Sequence, residues 1–270
     1  MTAGKLTLIF DCDGVLADTE RYGHLPAFNR AFADLGVPMQ WSDDEYAALV
    51  HIGGGKERIT AALADSRRRG LFVDDEPPPD LVPRIHKVKT EIYRGLVADG
   101  VIPPRPGVAR LIVAALSDGW RVAVASTSAP ESVKSVLDSV VGPEIANGIP
   151  VFAGDVVQAK KPAPDIYLLA LDSLGADPAA TIVVEDSAVG MRAAVAAGLA
   201  CIVTPSSYTV GEDFGPATAV VTSLGDDGEP VTVLANPHGV AFGDLIDITT
   251  LHDLLRAAGR PLTSTPQEQR

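Results

Sequence analysis

Five short apolar runs, spaced by segments of helix length, constrain this chain more than any other feature. They are residues 6–10 (LTLIF), 121–125 (RVAVA), 151–153 (VFA), 181–184 (TIVV) and 200–203 (ACIV). Most are continuous and β-branched rather than alternating, the pattern of strands covered on both faces. Helical patterns fall at 107–117, 130–140, 164–174 and 188–197. Several open on capping or first-turn chemistry: Pro130 before Glu131, Pro164 before Asp165, and Asp186-Ser187 before a run that closes at Gly198. This alternation predicts an α/β fold with a doubly wound, Rossmann-like parallel sheet.

The interval 19–104 breaks the rhythm. It has no clear strand, and helical pieces at 25–35, 43–50, 56–69 and 81–98 are punctuated by Gly53-Gly54-Gly55 and Pro77-Pro78-Pro79. It reads as an α-helical insertion after the first strand, leaving residues 1–18 and 105–270 as the core. Near the C-terminus, 225–230 (GDDGEP) reads as a turn, 247–258 as a last helix, and the final eight or so residues as frayed. A chain of 270 residues fits one large domain or two unequal ones.

Charge narrows the function. The net charge is −13 with 46% hydrophobic residues, which excludes global disorder and disfavours nucleic acid and anionic membranes as partners. An anionic substrate would have to be held by a local cluster of cations or by a metal. Two cysteines, Cys12 and Cys201, give no disulfide framework. The apolar stretch before Asp11 is too short for a secretory signal, and no run reaches transmembrane length. The expectation is a soluble, cytoplasmic monomer.

In open α/β sheets, ligands bind where the strands end, so the first polar residue after each strand matters most. The first strand ends in Asp11-Cys12-Asp13-Gly14, the second in Ser126-Thr127-Ser128 and the fourth in Glu185-Asp186-Ser187, while Lys160-Lys161 follows the third. Four carboxylates on one edge would repel one another unless a cation neutralised them, and hard oxygen ligands in that number favour Mg²⁺. Mg²⁺ keeps room for a substrate phosphate, which would lie beside Lys161 and Ser126. One aspartate can attack phosphorus, and a second acid can protonate the leaving oxygen and then activate water. The residues therefore point to metal-assisted phosphoryl transfer.

The strings IFDCDGVLADTE, VAVAS, KKPAPDIY and VVEDS resemble the four motifs of the haloacid dehalogenase-like hydrolase superfamily, over about residues 6–205. The resemblance implies that Asp11 is the nucleophile and Asp13 the acid/base. It implies Mg²⁺ held by Asp11, the backbone carbonyl of Asp13, Asp186 and, directly or through water, Glu185. Ser126 and Lys161 would hold the transferring phosphoryl group, with Thr127 and Ser128 as neighbouring substrate contacts. A second aspartate at position 13 argues against dehalogenation and leaves the phosphatase and phosphomutase branches.

The insertion sits where that family places its α-helical cap, a lid. Its candidate substrate contacts are Gly54, Gly55, Lys56, Arg58, His24 and Lys89: glycines before a helix offer backbone N–H groups to an anion, and the basic residues add charge. GGGKERI, HKVKTE, RPGV and KKPAPDIY are similar to the CbbY-like subgroup, close to the β-phosphoglucomutase branch, and imply a small phosphorylated sugar as substrate. A bisphosphate such as xylulose 1,5-bisphosphate is one fit. The leading expectation is a Mg²⁺-dependent sugar-phosphate phosphatase, with a sugar phosphomutase as the alternative. In the sequence Gly23 and Pro26 weaken the helix start around His24.

Overall fold

The computed structural model describes residues 5–52, 54–68 and 78–259. Gly53, Arg69, Pro77 and the C-terminal tail, on which the sequence places a glycine turn, a helix end, a proline break and fraying, lie outside the described residues.

The sheet runs through β1 (Thr7–Phe10), β2 (Arg121–Ser126), β3 (Val151–Ala153), β4 (Thr181–Glu185), β5 (Ala200–Val203), β6 (Ala219–Val221) and β7 (Val233–Ala235), in the order β3-β2-β1-β4-β5-β6-β7. All neighbours are parallel except β6 and β7. The helices are α1 (Leu25–Asp34), α2 (Asp43–Val50), α3 (Gly55–Arg68), α4 (Leu81–Ala98), α5 (Val108–Ser117), α6 (Pro130–Val141), α7 (Pro143–Ala146), α8 (Asp165–Leu174), α9 (Ala188–Ala196) and α10 (Ile248–Ala258).

The continuous apolar runs are explained by two cores. Leu8, Phe10, Val122, Val124, Ile182, Val184 and Ile202 point to the face covered by α5, α6 and α10. Ile9, Ala123, Ala125, Val183, Cys201 and Val203 point to the opposite face, under α8 and α9. Successive side chains alternate sides, so a strand buried on both must be apolar throughout.

A third core belongs to residues 25–85: Leu25, Phe28, Phe32, Trp41, Tyr46, Ile59, Leu63 and Ile85 pack together, apart from the sheet. The chain leaves the sheet and returns at adjacent points. Ala17 bridges Pro104, the Asp18 N–H donates to the Pro103 carbonyl at 3.2 Å, and that of Arg105 to the Leu16 carbonyl at 3.0 Å.

The structure departs from the sequence reading at the C-terminal side. The sheet has two further strands, and β7 is antiparallel, so the sheet is not wholly parallel. β6 and β7 have three residues each, and β7 is exposed at the edge with a register irregularity at Val220/Val221, so neither burial nor period marks it. The four-residue α7 is likewise too short to show a helical period. The segment beyond residue 224, which the sequence left without a role, supplies Leu251 and Leu254 of α10 to the first core.

Candidate active site

The DCDG turn follows directly from β1. The Asp11 N–H donates to the Val184 carbonyl at 3.0 Å, and Gly14, with φ of 77°, turns the chain back so that its N–H meets Ala17 at 3.0 Å. The turn brings Asp11 beside the end of β4. Oxygens of Asp11, Glu185 and Asp186 lie within 4.8 Å of one another, and all three residues are buried. Two glycines make the room. A Cβ on Gly14 would stand 2.2 Å from Asp186 Oδ2, and one on Gly190, in α9, would stand 2.1 Å from the Glu185 carboxylate.

Lys161 is the buried cation facing this cluster. Its Nζ donates to Asp11 Oδ1 and Glu185 Oε1, both at 2.7 Å, and to the Ala125 carbonyl at 2.9 Å. The ammonium also lies 4.9 Å from the centre of the Tyr167 ring, whose hydroxyl donates to Glu185. Burial alone would lower the Lys161 pKa, yet Asp11 and Glu185 hold it well above its ordinary value. Burial, offset in part by Lys161 and reinforced by the charges of Glu185 and Asp13, pushes Asp11 up to about 7. Burial, then repulsion from Glu185 and Asp11, pushes Asp186 well above the carboxylate range. Lys161, with the Arg105 charge acting on Asp186, still leaves the three carboxylates under-neutralised, and this all-oxygen donor set suits a hard divalent cation.

Asp13 faces the other way, toward the helical insertion. Its Oδ1 accepts from the Thr19 hydroxyl at 2.6 Å and lies 3.3 Å from His24 Nε2, while Oδ2 accepts from the Ser128 hydroxyl. Burial would raise the Asp13 carboxyl, but the hydrogen bonds from His24, Ser128 and Thr19 hold it well below its usual range.

His24 Nδ1 stands 2.6 Å from Lys89 Nζ, and the ring stacks on Tyr93 with centroids 4.3 Å apart. An ammonium only donates and a carboxylate only accepts, so with Lys89 charged and Asp13 ionised, His24 accepts at Nδ1 and donates from Nε2. Lys89 is buried between the Phe28 and Tyr93 rings, its Nζ 4.9 Å from each centroid, and burial lowers its pKa to about 8. The helix start forms despite Gly23, as a π-helical turn over Glu20–His24. The chain is helical from Glu20 through α1, and a Cβ on Gly23 would stand 2.5 Å from Ile102 and 2.7 Å from Tyr93. The glycine lets His24 come down onto Tyr93.

The remaining candidates separate. Ser126 is buried, and its Oγ accepts from the Ser128 N–H at 3.1 Å; Thr127 is exposed beside it. Lys56 is exposed at the start of α3. Arg58 and Lys89, expected as substrate contacts, are both buried and bonded within the insertion. Arg58 turns inward to Glu20 Oε2 at 3.1 Å, the Val50 carbonyl at 3.0 Å and the Tyr46 hydroxyl, because a buried guanidinium needs partners for its donors. Lys89 is committed to His24. Gly54, with φ of 97°, has its space filled by Glu57, and a Cβ on Gly55 would meet His86 at 3.0 Å, so neither position has room for a side chain.

Thr19, Tyr167, Gly190 and the two partners of Arg58, Glu20 and Tyr46, were missed as contributors. Tyr167 and Thr19 lie inside strings already singled out, six residues from Lys161 and Asp13 respectively, but spacing does not tell which way a side chain turns. Cys12 is packed in the first core, and burial, then Asp13 and Asp11, pushes its thiol well up, so it is not a reactive thiolate. No helix among the described residues is long and apolar enough to cross a membrane.

Residues 6–198 match the haloacid dehalogenase-like hydrolase family. A CBBY-like protein of Arabidopsis thaliana is 47% identical over 85% of this chain and 72% of its own length. Protein CbbY of Cereibacter sphaeroides is 41% identical over 82% of this chain and 93% of its own. Among solved structures, CbbY from Rhodobacter sphaeroides in complex with phosphate superposes with a TM-score of 0.72, at 41% identity over 81% of this chain and 94% of that one. A mutant of the same protein, in complex with xylulose-(1,5)bisphosphate, superposes with a TM-score of 0.71 over the same shares. With its seven-stranded sheet and strand-end motifs, the chain belongs to the haloacid dehalogenase-like hydrolase family, in its CbbY-like branch, and is a phosphoric monoester hydrolase.

Proposed function

We propose that this enzyme removes a phosphoryl group from a small phosphorylated sugar, a bisphosphate of the xylulose 1,5-bisphosphate kind, through an aspartyl phosphate. The observation that carries the reading is the division of labour between two aspartates on one turn. Asp11 sits in the carboxylate cluster on Lys161, and Asp13 sits among hydroxyls and His24. The xylulose-(1,5)bisphosphate complex of the Rhodobacter protein supports the substrate class.

Asp11 is the nucleophile. Lys161 occupies Oδ1, which leaves Oδ2 for attack on phosphorus, and the bond from phosphorus to the sugar oxygen breaks as the new one forms. Asp13, as the carboxylic acid, gives its proton to the departing sugar oxygen. As the carboxylate it then takes a proton from the water that attacks phosphorus and frees Asp11. The three donors on Asp13 favour the carboxylate form. To act as an acid it must give up at least one of them as the substrate enters. Ser126 and Lys161 hold the transferring oxygens, with Thr127 and Ser128 alongside.

Asp11, Asp186, the Asp13 carbonyl and Glu185 would hold Mg²⁺, which would neutralise the carboxylates and the phosphoryl oxygens. Residues 19–104 act as a lid over a core of residues 1–18 and 105–270, excluding water and contributing Lys56 to substrate choice. The enzyme works in the cytoplasm as a monomer.

The test is release of inorganic phosphate from a panel of sugar phosphates and bisphosphates, with Mg²⁺, with chelator, and with Asp11→Asn. Mg²⁺-dependent release, strongest on a bisphosphate and absent in Asp11→Asn, is expected. Release that survives in Asp11→Asn would overturn the mechanism, and isomerised sugar phosphate without release would replace the phosphatase by a phosphomutase.

A further inference from the structure

The loop after β5 reaches from the carboxylate cluster into the helical insertion. At one end, the Thr209 hydroxyl donates to the Asp186 carbonyl at 2.6 Å and accepts from the Ser206 N–H at 2.9 Å. One residue earlier, Tyr208 leaves the sheet side altogether. Its hydroxyl donates to Asp43 Oδ1 of α2 at 3.0 Å, and its ring meets the Tyr46 ring edge-on at 5.6 Å. Tyr208 thereby packs against the third core, that of the insertion. Tyr46 in turn donates to Glu20, and Glu20 opens the helical turn that ends at His24, against Asp13.

We propose that Tyr208 is a positioning residue that latches the helical insertion onto the sheet. The latch ties the shut state to the loop that holds Asp186. The proposal rests on reading the insertion as a lid. A contiguous chain of contacts runs from Asp186 through Thr209, Tyr208, Tyr46 and Glu20 to the segment carrying His24. When the contact to Asp43 and Tyr46 is made, the acid/base end and the carboxylate end are aligned together. When it is broken, the insertion is held by the crossing at Ala17–Thr19 and Pro103–Arg105 and by α4, whose Tyr93 and Val97 sit in the first core and whose Arg94 pairs with Glu131 of α6 at 3.7 Å. One hydrogen bond from a neutral hydroxyl to a partly solvated carboxylate shifts an open–shut equilibrium by about two- to tenfold.

The test uses Tyr208→Phe, which keeps the ring, and Tyr208→Ala, which removes both contacts. Hydrogen exchange is followed at the hinge amides of Asp18 and Arg105, alongside thermal unfolding and kinetics on the sugar bisphosphate and on p-nitrophenyl phosphate. The latch predicts exchange at the hinge amides about two- to tenfold faster in Tyr208→Phe and faster again in Tyr208→Ala. It also predicts a higher KM for the bisphosphate, with little change in kcat and in p-nitrophenyl phosphate turnover. Hinge exchange equal to wild type, or exchange raised throughout the protein with a lower unfolding midpoint, would overturn it. Should wild type release no phosphate from any substrate, the enzymatic reading fails, while the exchange rates still decide the latch.

Discussion

Replacing Gly190 by Ala separates helix propensity from the geometry of the carboxylate cluster. Gly190 lies inside α9 with ordinary helical backbone, where Ala is better than Gly by about 1 kcal/mol, so propensity alone predicts a more stable protein. The structure predicts the opposite. The new methyl would lie 2.1 Å from the Glu185 carboxylate, whereas ordinary contact begins at 3.4 Å, so the carboxylate must retreat by more than an ångström. Its Oε1 accepts from Lys161 at 2.7 Å and from the Tyr167 hydroxyl, and a move of that size breaks both bonds. Buried hydrogen bonds to a charged group contribute about 1.5–3 kcal/mol each, so the loss of two, less the helix gain, leaves a destabilisation of about 2–5 kcal/mol. For a chain of this size that is a drop in unfolding midpoint of at least about 4 °C. Phosphate release should fall with it, because Lys161 loses one of the two carboxylates that fix it. Thermal unfolding and phosphate release on the same preparation test this. A Gly190→Ala protein that unfolds at a higher temperature than wild type and turns over normally would refute the argument.

Asp11→Asn should abolish turnover while the metal-free protein becomes more stable near neutral pH. The Asp11 carboxyl titrates near 7 when folded and near 4 when unfolded, so the folded form holds the proton between those values and metal-free stability falls as pH rises through that window. Thermal midpoints from pH 4 to 8 with chelator should therefore slope down more steeply in wild type than in Asp11→Asn, and equal slopes would count against the assignment. Saturating Mg²⁺ should raise the wild-type midpoint, by about 2.7 kcal/mol at a hundred times Kd. Lys89→Met, which removes the donor on His24 Nδ1 but keeps the stem between Phe28 and Tyr93, should lower kcat about tenfold or more and alter its pH profile, with folding intact by circular dichroism. Lys56→Ala, at an exposed position, should raise KM for the preferred bisphosphate without altering p-nitrophenyl phosphate turnover.

The strand-end cluster was legible because a parallel sheet gathers the residues after its strands at one edge. Asp11, Asp13, Ser126, Lys161, Glu185 and Asp186 each lie at or just beyond the end of a strand, or in the loop that follows one. A run of buried β-branched residues reveals where such an edge must be. The insertion was legible as helices but not as contacts. Arg58 and Lys89 look like displayed cations in one dimension, and only the packing of α1, α3 and α4 shows that a buried glutamate and a histidine claim them. Gly190 and Gly14 are silent in the sequence for a related reason: the atoms that forbid a side chain there belong to Glu185 and Asp186, which reach them only in the folded chain. The short strands β6 and β7 carry too few residues to express a period, so sequence pattern could not separate them from loop.

The adjacency of Ala17 and Pro104 has a consequence for how such chains diversify. To the sheet, everything between those two residues is a single excursion whose ends are pinned together by main-chain hydrogen bonds. In the unfolded chain the entropy of closing a flexible excursion grows only with the logarithm of its length, about 0.6 kcal/mol for each doubling. A duplication, deletion or wholesale exchange of the segment therefore leaves β1 and β2 nearly as easy to pair as before. The segment can change on one side of the crossing while Asp11, Lys161 and Asp186 stay registered on the other.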